Sequence, residues 1–469
     1  MLKTINILLE KKWFPLSFRF ITLAAFLGLV IIGFSSPTND PFFVQQLSKT
    51  NLTTSFVWRL WWPAIILTSI FFGRVWCMVC PVEMITTFFA KIGLKLKRPK
   101  WILSGWVVIL FYMIVLIGGV TILSIDRNPK YTSYYLLSIV GISILSGLIF
   151  EKNTFCRSIC PFGYILSIFS KMAIWGWRVK KRAVCDSCHD KSCIASEYTY
   201  NLNYKSCGVD LVPAEMDNNN YCLLCAGCLK TCKTYQTGTN PLRPNPGIVK
   251  TGFADDLMKI NPLSAVEWIF LFLLSGSLIF EIAEFQLMSR LSIPSLSENF
   301  STYLSINEGF GKDLIAAAYL FFVLPAILWI LPYLVILSAR IRISFNTYLK
   351  TISLIFLPVI TAYYTGLAVM EIGTRFPYYK YIIHDITGVE TIKSILFKQI
   401  EEPLLPQWTD WSFFIFLLLA LIIGIIISFE VIRKLLLKFR IGKNERILYI
   451  LPFIFILILF AGVFLYTSF

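Results

Sequence analysis

Four cysteines stand in the run Cys222-Leu-Leu-Cys225-Ala-Gly-Cys228-Leu-Lys-Thr-Cys232, and their spacing sets the chemistry. Gaps of two residues let three thiolates converge on three corners of one iron–sulfur cubane. The fourth, one helical turn further on, points away to a second cluster, which is the bacterial ferredoxin spacing. The proline that commonly follows the fourth cysteine is Lys233 here; that proline shapes a turn and binds no iron. Upstream lie Cys185-Asp-Ser-Cys188-His189-Asp-Lys-Ser-Cys193 and then Cys207. Interleaving predicts one 4Fe–4S cluster on Cys185, Cys188, Cys193 and Cys232 and another on Cys222, Cys225, Cys228 and Cys207, with exchange of Cys207 and Cys232 as the alternative. The stretch Cys185-Asp-Ser-Cys188-His189 also spells a c-type haem attachment motif. That reading strands Cys193 and Cys207 and makes His189 an axial ligand instead of a solvated side chain.

The other four of the 12 cysteines form an internal repeat. Gly73-Arg74-Val-Trp-Cys77-Met-Val-Cys80-Pro81 ends one apolar run, and Phe-Cys156-Arg157-Ser-Ile-Cys160-Pro161-Phe-Gly163 follows another. Both pairs fall at the same end of an outside-to-inside span, so they can meet in one layer and hold a third 4Fe–4S cluster, leaving no cysteine over. The alternatives are a mononuclear metal, a dithiol, or unligated polarizable pairs. Arg74 and Arg157 are placed to offset a cluster's negative charge. With His189 and His384 the only histidines, a bis-histidine haem, a histidine-rich zinc site and a histidine-based triad are all disfavoured. No phosphate loop or nucleophile–base pair is present.

These residues must be positioned by membrane helices. The chain of 469 residues is 57% apolar and only 15% charged, against roughly 25% charged in soluble proteins. Runs of about 20 apolar residues, enough to cross a bilayer, predict nine spans near 17–34, 54–73, 101–124, 132–150, 264–285, 313–338, 347–369, 411–432 and 447–466. The first is not a cleaved signal, since no small-x-small site follows it. With the N-terminus inside, the inner segments hold 31 of the 43 Lys and Arg and the outer ones 9. The positive-inside rule therefore predicts an N-in, C-out protein of the cytoplasmic (inner) membrane, its cysteine segment on the cytoplasmic side. The net charge of +16 is explained by that topology and needs no nucleic acid.

The predicted organisation is a four-span membrane domain (1–182), a small ferredoxin-like domain (183–250) and a five-span domain (251–469). The inserted segment is loop-rich, with a turn-forming stretch at Asp217–Asn220 and prolines at 241, 244 and 246, and a bound metal must supply much of its folding energy. Few ionisable residues fall within spans: Glu267, Glu281, Glu284, Glu371 and Glu430. Most lie near span ends, and Glu281 is the deepest.

Together these motifs resemble the membrane-bound polyferredoxins of the NapH/NosR/CcoG kind, in their "4Fe–4S binding protein" branch. The likeness covers residues 50–235, through Trp62-Pro63, Gly73–Pro81, Cys207 and the block Asp217–Cys232. It implies an electron-transfer subunit relaying electrons between a cytoplasmic or quinone donor and a membrane or extracytoplasmic redox partner protein. A redox-sensing transporter or a metalloenzyme-assembly factor is the other class. Two departures stand out. The first membrane motif is C-x2-C-P where the family usually has C-x3-C-P, and the chain has no room for an extracytoplasmic flavin domain.

Overall fold

The computed structural model describes residues 2–37, 40–202, 204–232, 244–284, 314, 315, 317–338, 344–406 and 408–438, with isolated positions beyond. It is mostly helical, and among the described residues it has six helices long and apolar enough to cross a membrane. They coincide with the spans expected at 17–34, 54–73, 132–150, 313–338, 347–369 and 411–432. The run expected at 101–124 becomes a shorter apolar helix, Trp106–Ile122, and the run expected at 264–285 forms a helix over Ala265–Glu284. The span expected at 447–466, like Lys233 and Pro241, lies outside the described residues.

The chain divides into two compact units. The first comprises Met1–Phe111, Ile125–Asp256 and Ala368–Gln407, so the cysteine segment packs with the first helices and shares their unit. Its elements are α1 (Leu2–Glu10), α2 (Leu16–Phe34), α3 (Leu52–Phe72), α4 (Pro81–Ile92), α5 (Pro129–Ile149), α6 (Pro161–Phe169), β1 (Trp175–Val179), α7 (Gly227–Thr231) and β2 (Pro246–Lys250). Helix α5 is the hub, packing on both α2 and α4. Gly147 makes the second contact close: a Cβ there would come within 2.8 Å of the Thr86 carbonyl oxygen. Small residues at such crossings let helix backbones approach closely. Side-chain hydroxyls finish the work, as Ser133 donates to the Val30 carbonyl at 3.0 Å and Thr53 to that of Leu29 at 2.6 Å. The stretch between the runs expected at 54–73 and 101–124 contains α4, an amphipathic helix that buries Met84, Thr86, Thr87 and Ala90.

Strands β1 and β2 pair antiparallel, Trp175 opposite Lys250 and Val179 opposite Pro246, and so bring together the two ends of the cysteine segment. Asn6 of α1 completes the edge of β2, donating to the Ile248 carbonyl and accepting from its N–H, both at 2.9 Å. The segment has little core of its own. Trp177, Leu224, Ala226, Leu229 and Ile248 pack instead with Leu9, Phe14 and Met78. Asp217–Asn220 is not a free turn either. Asn219 is buried, accepts from the Trp177 N–H at 3.2 Å, donates to the Trp175 carbonyl at 2.6 Å, and so stitches the loop to β1.

The second unit comprises Tyr112–Ser124, Leu257–Leu367 and Trp408–Phe469. In it α8 (Ala265–Glu284) and α9 (Tyr319–Ser338) pack together. Helix α10 (Phe345–His384) runs well past the expected end at 369, and its apolar window is 94% buried. It is fastened by Tyr364 donating to the Leu274 carbonyl at 3.1 Å and by Ser428, of helix α12 (Trp408–Lys438), donating to that of Ile355 at 2.7 Å. The carboxylates singled out in the sequence have ordinary roles. Glu267 and Ser264 form a reciprocal capping box at the start of α8. Glu371 pairs with Arg59 at 2.6 Å, and Glu430 with Arg433. The side chains of Glu281 and Glu284 lie outside the described residues.

Candidate iron–sulfur sites

The two Cys-Pro motifs build their site from helix ends. Cys80 and Cys160 are the N-caps of α4 and α6, with backbones in the extended region, and Pro81 and Pro161 occupy the first helical position, where a missing N–H costs nothing. Each sulfur therefore sits at the positive end of a helix dipole, which favours an anion. The Cys160 sulfur accepts from the Gly163 N–H at 3.3 Å. Cys77, Cys80, Cys156 and Cys160 line one cavity of about 170 Å³, together with Arg74, Glu83, Tyr135, Phe162 and Leu223.

Arg74 is only 3% exposed, with Cys77, Cys160 and Cys156 as its electrostatic neighbours. Its Nε has no hydrogen-bond partner. A buried unpartnered guanidinium nitrogen facing thiols is what an anionic group in the cavity would satisfy. Gly163 makes the room, because a Cβ there would lie 2.6 Å from Arg74 Nη2. Arg157 is held differently, although its Nη1 likewise has no hydrogen-bond partner. Its guanidinium stacks on Tyr221, 3.8 Å from the ring centre, where a planar cation finds a better partner than a distant thiol.

A second cavity is lined by Cys207, Cys222, Cys225 and Cys228. Left-handed backbone at Tyr221, Leu224 and Ala226 (φ 62°, 51° and 59°) curls the loop around it. Such turns aim successive N–H groups inward, making a concavity suited to anions. The Cys207 sulfur accepts from the Leu211 N–H at 3.3 Å, and the Cys228 sulfur from Trp177 Nε1 at 3.2 Å. Burial and the neighbouring thiols of Cys225 and Cys207 push the Cys222 thiol up to about 12, against the opposing pull of the Leu224 N–H. Metal binding would release such protons.

The third set is more open. Burial and the thiols of Cys232, Cys185 and Cys188 push Cys193 up to about 11, so these four are mutual neighbours. Asn245 donates to the Cys185 sulfur at 3.1 Å. Cys232 thus lies with the upstream trio and Cys207 with the downstream one. Helix α7 carries Cys228 and Cys232 at its two ends, and the Cys207 N–H donates to the Cys193 carbonyl at 2.9 Å. His189 is exposed to solvent. No disulfide joins any of the twelve cysteines. Among the described residues no three His, Cys, Asp or Glu side chains converge closely enough to hold a single metal ion. Fours of thiols, beside the unpartnered Nε of Arg74 and N–H donors to sulfur, fit a bulkier anionic group.

Sequence reasoning missed Trp177, Asn245, Arg19, Glu83 and Lys205. Only Arg19 carried a signal, as a charge inside an apolar run.

Residues 54–99 and 132–184 match the family model of a 4Fe-4S binding domain. These stretches contain Cys77, Cys80, Cys156 and Cys160 and end just before Cys185, and the match supports an iron–sulfur protein. The chain is also similar to the uncharacterized protein MJ0749 of Methanocaldococcus jannaschii, 27% identical over 168 residues. That alignment spans 34% of this chain and 62% of the relative, less than two thirds of its length. No solved structure matches.

Proposed function

We propose that the protein is a membrane-bound electron-transfer protein holding three 4Fe–4S clusters, of the polyferredoxin kind that includes NapH, NosR and CcoG. A cubane cluster, when bound, exchanges one electron with little rearrangement, at a potential set by burial and hydrogen bonds to sulfur. The observation that carries the reading is the serial arrangement of the three sets. Helix α7 links the open set to the second, and Leu223, between Cys222 and Cys225, lines both the second cavity and the membrane-motif cavity.

The residues then have separate duties. Thiolates hold the clusters; Trp177, Asn245 and the backbone N–H groups hydrogen-bond to sulfur; Arg74 balances charge; the apolar walls exclude water. A soluble redox protein docks at the open set, whose surroundings at Lys181, Arg182 and Lys191 are exposed. At the other end, Phe26, Trp61 and Phe162 line the membrane-motif cavity, a setting suited to a quinone or an apolar partner. The charge bias supports a cytoplasmic-membrane protein with the open set inside. Using two cysteines of a four-thiol set as a haem strap would waste the other two, which disfavours the haem reading.

Anaerobically purified protein should contain about twelve iron and twelve acid-labile sulfide per chain. Cys156→Ser should remove about four of each while the other electron paramagnetic resonance (EPR) signals persist. An iron content of about eight in the parent would refute the membrane-level cluster, and covalent haem would refute the scheme. Protease cleavage near Lys191 from outside intact cells would reverse the orientation.

A further inference from the structure

Between the membrane-motif cavity and the second cavity lies a charged cluster closed off from solvent. Glu83 is 1% exposed, Arg19 2% and Lys205 2%. Arg19 Nη1 is 2.6 Å from Glu83 Oε2, and Lys205 Nζ pairs with Glu83 Oε1. Asn153 Nδ2 donates to the same Oε1 at 2.6 Å, and Lys205 also donates to Thr87 Oγ1 at 3.1 Å. Arg19 Nε donates to the carbonyl of Met78, which lies between Cys77 and Cys80, at 2.8 Å. Glu83 forms part of the wall of the first cavity, Lys205 and Asn153 part of the wall of the second. The cluster is therefore a direct bridge from one cavity to the other.

Its charges do not balance. Burying an ion costs several kcal/mol unless it is paired, and one carboxylate cannot neutralise both a guanidinium and an ammonium. Arg19 Nη2 has no hydrogen-bond partner. The electrostatic neighbours of Arg19 are Cys225, Cys80 and Cys156, and those of Lys205 are Cys225, the like-charged Arg19 and Cys207. The uncompensated positive charge faces the sulfurs of both sets.

We propose that Arg19, Glu83 and Lys205 act as one charge bridge that sets the reduction potentials of the two adjacent clusters together. Arg19 and Lys205 favour the extra electron on either cluster, and Glu83 limits that preference. The three are positioning residues, and the inference rests on the iron–sulfur reading above.

The test is an EPR-monitored redox titration of the full-length protein in detergent, with iron counted in every variant. Glu83→Gln should raise both potentials, and Lys205→Gln should lower that of the Cys207 set most. Each should change a one-electron equilibrium at least about tenfold, which is 59 mV. Glu83→Asp keeps the charge and should leave both near the parental values. The double variant E83Q/K205Q removes one charge of each sign and should return both potentials toward the parent. Intact iron and EPR signals with unmoved potentials would overturn the inference alone. Loss of iron from both single variants and from the double would assign the bridge to folding and overturn it too. A parent without the clusters would overturn the reading beneath it.

Discussion

Replacing Trp177 by Phe removes a single hydrogen-bond donor from the second cysteine set. The indole Nε1 lies 3.2 Å from the Cys228 sulfur, and Trp177 is 1% exposed, so no solvent molecule replaces the lost donor. A hydrogen bond to a charged acceptor contributes about 1.5–3 kcal/mol. Only the part that differs between oxidised and reduced states moves a potential. Taking about half gives roughly 0.7–1.5 kcal/mol, or roughly 30–65 mV for one electron. The reduced cluster carries more negative charge and is the better acceptor, so the potential should fall. An EPR-monitored titration at fixed pH reads the shift, with iron content confirming that the cluster is retained. A fully loaded variant whose potential stays within about 10 mV of the parent, or rises, would refute the argument.

Gly163→Val should displace Arg74, since even a Cβ would lie 2.6 Å from Nη2. About four iron should be lost or the third EPR signal altered, while the other two signals stay. Asp385 offers a pH test away from the clusters. Burial opposes its charge, but the N–H groups of Thr391 and Gly388 and the hydroxyls of Thr387 and Thr391 hold its carboxyl below the usual carboxylate range. A depressed carboxyl contributes stability that is present above the unfolded value of about 3.9 and is lost as pH falls through the lower folded value. Asp385→Ala should weaken the turn before helix α11 (Val389–Leu396) by about 0.5–2 kcal/mol near neutral pH, the cost of a lost capping acceptor. Amide hydrogen exchange of residues 387–396 should show it, and the deficit should vanish in acid.

What was legible in the sequence was local. Cysteine spacing is enforced by the covalent chain, so the grouping of Cys222, Cys225 and Cys228 needed no knowledge of the fold. Six of the expected apolar runs form helices long and apolar enough to cross a membrane, although α10 overruns its expected end through Arg375 and Lys380, beyond what hydropathy alone marks. The charge bridge was not legible. Glu83 and Lys205 are 122 residues apart, and each alone looks like a solvated charge. Nor was the stacking of Arg157 on Tyr221 legible, since its motif matches that of Arg74.

The strand pair that closes the cysteine segment has a consequence for biogenesis. Asn6 reaches Ile248 across 242 residues. At about 5–20 residues per second, that is roughly 12–50 s of synthesis. During that interval α1 has no β2 to dock on, and every cysteine from Cys77 to Cys232 has been made before the segment can shut. Cofactor delivery therefore has a time window, opening when α2, α3 and α5 are in place and closing as β2 zips onto β1. Nearly half of the chain, everything beyond Lys250, is still to be made when that window closes.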